Sequence, residues 1–178
     1  MDMIEQTMER DLGTVDEAAD GTVTLRYERV FPRPIATVWS AITEPARIAD
    51  WLGPAELEPR VGGRFAVRVG PGGRVPIEGK VVVWEPPSVL ACTWNWPEGP
   101  AGTIRYELSP DGAHATRLVF THVGLSAERQ NSVLAGWHLY LERLEQAVRG
   151  ERPPADFSAR HAEVQALYGD VEACAPTD

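Results

Sequence analysis

Apolar and polar positions alternate from Thr22 to Phe31 (TVTLRYERVF), placing Val23, Leu25, Tyr27 and Arg29 on one face of a half-buried strand. The period then lengthens. Pro34 suits a first helical turn, and Ile35, Val38, Trp39 and Ile42 recur at spacings of three and four, which predicts a short helix with one buried face. Pro45 opens a second short helix that carries Ile48, Trp51 and Leu52. Five runs follow: RFAVRVG, RVPIEGKVVVW, VLACTWNW, TIRYEL and ATRLVFTH. Each is short, β-branched or aromatic, and bounded by Gly- and Pro-rich breakers, as strands of an antiparallel meander should be. Asp111-Gly112 is the strongest hairpin signal among the breakers.

The pattern closes on a long helix. Ser126 is a candidate N-cap with Glu128 in the first turn, and Leu134, Trp137, Leu141, Leu144 and Val148 form one stripe, widened by Val133 and Tyr140. Gly150 and Pro153 end it. A helix with so broad an apolar face needs a large partner surface, and the strands before it supply one. The expected fold is α+β: a curved antiparallel sheet of about six or seven strands wrapped around the long C-terminal helix. The expected organisation is an acidic tail over residues 1–20, a domain over 21–150, and a C-terminal appendage over 151–178.

Composition narrows the function classes. The 178-residue chain can bury one sizeable core, and its net charge of -9 with one lysine, Lys80, argues against a nucleic-acid surface. The acidic N-terminus has no basic or apolar region of a signal peptide, and no run reaches the length of a membrane span. Cys92 in a strand and Cys174 in the tail read as reduced thiols, so a cytoplasmic protein is expected.

Chemistry-bearing motifs are sparse. GGRVPIEGKV has five residues between Gly73 and Gly79 and no Ser or Thr after Lys80, so it reads as a strand and not as a phosphate loop. His138 and Glu142 stand four apart on the helix, but no third ligand accompanies them; a solvated pair is expected and no metal. Neither a nucleophile motif nor a carboxylate dyad is present, and no cofactor is implied. His122 shares a strand face with Leu118 and Phe120, and Gln130 falls within the helical stripe. Trp94 and Trp96 share a face with Leu90 and Cys92.

The order of motifs resembles a known family. FPRPIATVWSAIT, EPARIADWL, RVGGRF, EGKVVVWEPPSVLACTW, ATRLVFTHVGL and AGWHLYLERLEQAV are similar in order and spacing to the START-like, birch-pollen-allergen-like (SRPBCC) superfamily. Within it they resemble the homologues of the activator of heat-shock protein 90 ATPase. Gly136-Trp137 and the Trp84-to-Pro87 turn weigh most. The resemblance implies a helix-grip fold with two short helices closing one end. It also implies a small apolar or amphipathic ligand between sheet and helix.

On that basis Leu90, Trp94, Ile104, Tyr106, Leu118 and Phe120 are expected to line the sheet side of a cavity, and Leu134, Trp137 and Leu141 the helix side. His122, Tyr106 and Gln130 would orient a polar group of the ligand, while Arg143 reads as a surface position. No catalytic residue is assigned. If the protein is an enzyme, a cyclase or hydrolase on an aromatic or polyketide-like substrate, His122 or Tyr106 would be its acid/base. A stress- or chaperone-associated interaction module is the remaining alternative, with a protein partner or homodimer and no membrane insertion.

Overall fold

The computed structural model describes residues 12–169. Eight antiparallel strands form one curved sheet: β1 (Thr14–Glu17), β2 (Thr22–Phe31), β3 (Ala55–Leu57), β4 (Arg64–Val69), β5 (Val75–Glu85), β6 (Val89–Asn95), β7 (Ala101–Asp111) and β8 (Ala115–Ser126). Their spatial order is β1-β2-β8-β7-β6-β5-β4-β3. Helices α1 (Ile35–Thr43) and α2 (Pro45–Trp51) lie between β2 and β3; α3 (Gln130–Val148) and α4 (Ser158–Leu167) follow the sheet.

The alternation of the sequence becomes the concave face. Leu25, Tyr27 and Phe31 of β2 are buried with Leu118, Phe120 and His122 of β8, in the register Tyr27↔Phe120 and Leu25↔His122. Arg29 joins this face at 6% exposure, its guanidinium 5.5 Å from the Tyr27 ring. Helix α3 fills the concavity with Leu134, Trp137, Leu141, Leu144 and Val148, all buried. Gly150, at φ +82°, takes the left-handed conformation after α3, and the Gly150 and Glu151 N–H groups close on Ala147 and Gln146.

The sequence reading differs from the structure at both sheet edges. The segment read as a tail over residues 1–20 contains β1, paired with β2 in the register Val15↔Leu25; residues 1–11 lie outside the described residues. At the opposite edge β3 pairs with β4, giving eight strands and not six or seven. Both edge strands are too short and too charged for alternation to reveal them, which is how sheet edges avoid pairing with other chains. The Gly73–Gly79 segment ends in β5, confirming a strand there. A Cβ at Gly79 would stand 2.0 Å from the Thr93 carbonyl oxygen, so β6 crosses too close for any side chain. Asp111-Gly112 does mark a hairpin, but its loop has three residues between Asp111 and Ala115.

Candidate functional site

On the concave face the side chains from sheet and helix pack directly against one another. Tyr106 and Phe120 ring centroids are 4.9 Å apart, Phe120 and Trp137 4.3 Å, and Trp94 and Trp137 5.1 Å. Leu90, Ile104, Leu118, Leu134 and Leu141 are all buried in this cluster. A cleft of about 150 Å³ begins where the cluster ends, and of the expected lining residues only Trp94 and Trp137 border it. The cleft is therefore displaced toward one end of α3.

Four elements build its walls. Val69, Gly70, Pro71 and Val75 come from the β4–β5 turn, and Trp96 from just beyond β6. Helix α3 presents Ser132, Val133, Gly136, Trp137, Leu139 and Tyr140. Phe157 and His161 of the C-terminal segment close the side. Most of the lining atoms are apolar. The α3 contribution at spacings of three and four is a legible helical face; Phe157 and His161 carry no signal that would assign them to a cleft.

The C-terminal segment is a packed element. Arg143 Nε donates to the Trp51 carbonyl at 2.9 Å, Arg143 Nη1 donates to the Pro154 carbonyl at 2.6 Å, and its guanidinium lies 5.0 Å from the Phe157 ring centroid. Arg143 is thus an internal tie and not a surface position. His138 is 2% exposed, so the expectation of a solvated His138–Glu142 pair fails. Tyr168 covers it: Gly13 N–H donates to the Tyr168 hydroxyl at 3.0 Å, and that hydroxyl lies 2.8 Å from His138 Nδ1. His138 Nε2 approaches Glu142 at 3.3 Å, and Arg160 of α4 grips the same carboxylate through Nε and Nη2. Burial raises the Glu142 carboxyl, but the His138 and Arg160 hydrogen bonds and the Arg160 charge outweigh it and bring it down to about 2. No group of three or more His, Cys, Asp or Glu residues suited to a metal ion exists among the described residues.

His122 sits behind the cleft. Its Nδ1 accepts the Trp137 indole N–H at 2.9 Å, and Nε2 has no hydrogen-bond partner among the described residues. Gly102 makes room for it, because a Cβ there would lie 2.7 Å from Nε2. Burial pushes the imidazole down to about 3, raises Tyr106 well above the usual phenol, and lifts Cys92 to about 12. Gln130, the first residue of α3, is half-buried and does not border the cleft. The Ser126 hydroxyl accepts no capping hydrogen bond, and a 3₁₀ turn over Ala127–Arg129 separates it from α3.

Comparison with known proteins agrees with this architecture. The profile of the family "Activator of Hsp90 ATPase homolog 1-like protein" matches residues 32–149. None of the curated proteins matches the chain. Among solved structures, CalU16 from Micromonospora echinospora is 24% identical with a TM-score of 0.69, over 88% of this chain and 90% of that one. The BPP1335 protein of Bordetella parapertussis is 28% identical with a TM-score of 0.66, over 88% of both chains. DynU16, from the dynemicin biosynthetic locus, is 27% identical with a TM-score of 0.65, over 72% of this chain and 48% of that one. No helix among the described residues is long and apolar enough to cross a membrane. An α3 gripped by an eight-stranded antiparallel sheet, together with a family match across most of the domain, makes this chain a member of the Hsp90 ATPase activator homologue family of the START-like superfamily.

Proposed function

We propose that the protein binds one small, largely apolar aromatic molecule in the cleft between the β4–β5 turn, α3 and the C-terminal segment. The observation that carries this reading is Gly136. A glycine inside a helix costs about 1 kcal/mol relative to alanine. Nothing lies within 4 Å of the Cβ that Gly136 lacks, so no close approach requires it. What its missing side chain leaves is open space on the cleft wall. Trp94, Trp96, Trp137, Tyr140 and Phe157 surround that space with aromatic surface. Each apolar Å² buried there contributes about 25 cal/mol before ordering costs. A volume of about 150 Å³ suits a single ring, with any remainder of the ligand extending through the open side. The source of DynU16 in a biosynthetic locus is in keeping with a small-molecule ligand.

The enzymatic alternative rested on His122 and Tyr106. Neither borders the cleft, and burial holds both in neutral forms far from the pH at which they would exchange a proton. Ligand binding without a catalytic role is the reading the geometry favours.

The test separates folding from binding. Gly136→Ala should raise stability by about 0.5–1 kcal/mol in denaturant melts. Gly136→Leu should fold with the same circular dichroism but place its side chain in the cleft. Wild type should then show saturation transfer to a neutral one-ring probe such as α-methylstyrene, and Gly136→Leu should not. Equal uptake by Gly136→Leu would place the ligand elsewhere.

A further inference from the structure

Two of the six tryptophans stand half-exposed and away from the cleft: Trp39 on α1 and Trp84 on β5. Their ring centroids are 5.2 Å apart and their planes are tilted by 56°. Both border an open groove of about 510 Å³, walled also by Leu57, Pro45, Pro59 and Pro87. Tilted rings do not cover each other's faces, so the pair keeps indole surface toward the groove. An indole face is the strongest aromatic partner for a cation, which is held within about 6 Å of the ring centroid.

Charge sets the sign of the occupant. Glu44, at the junction of α1 and α2, is the only charged residue on the groove wall among the described residues. Its carboxylate accepts the Ser40 hydroxyl at 2.6 Å and forms no ion pair among the described residues. The other polar groups of the wall are already engaged. Ser40 also accepts an Arg47 N–H at 2.7 Å, and the Thr43 hydroxyl donates to the Trp39 carbonyl at 2.7 Å. Arg47 itself does not border the groove. An anion would meet two negative ring faces and a carboxylate, with no lining cation to hold it. A primary ammonium would lose its tight hydration against proline and indole, whereas an alkylated one carries apolar methyl groups to that wall. The net charge of -9 adds a favourable field for any cation. We infer that this groove binds a small soluble molecule with a quaternary ammonium head, held on the Trp39 and Trp84 faces with Glu44 beside it. The site shares no lining residue with the cleft beside Gly136.

Choline and 3,3-dimethylbutan-1-ol, in which carbon replaces the ammonium nitrogen, share one shape and differ in charge. Water solvates the cation better, so a groove that recognised only apolar surface would bind the neutral alcohol more tightly. The expected result is the reverse. In NMR titrations choline should bind at least about threefold more tightly than the alcohol and should move the Trp39 and Trp84 indole resonances. Glu44→Gln, at an exposed position, can still accept the Ser40 hydroxyl but carries no charge. It should weaken choline about 2- to 5-fold and leave the alcohol unchanged. Gly136→Leu, altered in the other cleft, should bind choline as wild type does. Phosphocholine should bind no more tightly than choline, because no cation lines the groove to hold its phosphate. Equal or tighter binding of the alcohol overturns the inference, as does choline binding unaltered by Glu44→Gln or lost in Gly136→Leu. Tighter binding of phosphocholine overturns the assignment to a simple cation. Indole resonances of Trp39 and Trp84 that stay fixed with every probe overturn the site itself.

Discussion

Trp137 donates to His122 Nδ1, which leaves the neutral imidazole with its proton on Nε2. The alternation LVFTH placed His122 on the concave face from sequence alone. The sequence could not show that an indole on α3 would occupy Nδ1, because that contact depends on how helix and sheet meet. A stability consequence follows from burial. The usual imidazole value of 6.5 is lowered to about 3 in the folded protein. As pH falls below 6.5, the unfolded chain takes up a proton that the folded protein refuses. Stability is therefore full above 6.5 and is lost as pH falls toward 3, by up to about 1.4 kcal/mol per pH unit. His122→Gln can still accept the Trp137 N–H but does not titrate. Between pH 6.5 and 4.5 its melting curves should lose less stability than wild type; parallel curves would mean that His122 protonates in the folded state.

Among the elements, the C-terminal segment differs most from what its pattern suggests. Residues 158–167 carry only one buried side chain, Val164, so periodicity gives α4 little claim to a core. Polar contacts hold it instead: Arg160 to Glu142, and Tyr168 to His138 and to the backbone of Gly13. Tyr168→Phe removes the hydroxyl from this chain of contacts, at a cost of about 1 kcal/mol. Amide exchange should accelerate in α4 and around Gly13 while β7 and β8 keep their protection; unchanged exchange in α4 would show that its packing suffices. Edge strands β1 and β3 teach the same lesson. A strand of three or four residues exists because a neighbour pairs with it, and its own sequence does not announce it.

At the scale of the molecule, Arg143 joins three parts: α2 through the Trp51 carbonyl, the chain after α3 through the Pro154 carbonyl, and the cleft wall through Phe157. Arg143→Ala should lower stability by roughly 1–3 kcal/mol and weaken probe binding, because Phe157 loses its tie. Unaltered affinity for the probe would separate the cleft from this joint. The sequence was enough for the two short helices, the meander, the long gripping helix and the family, since each depends on local period, breakers and their order. It also determined that Leu90, Ile104, Leu118, Phe120, Leu134 and Leu141 face inward. Only the way helix, sheet and C-terminal segment meet decided that these side chains pack against one another, and that the cleft opens beside Gly136. Volume left between packed surfaces depends on which rotamers interlock across strands, helix and C-terminal segment. A one-dimensional pattern fixes the face that each residue takes, and never the gap between faces.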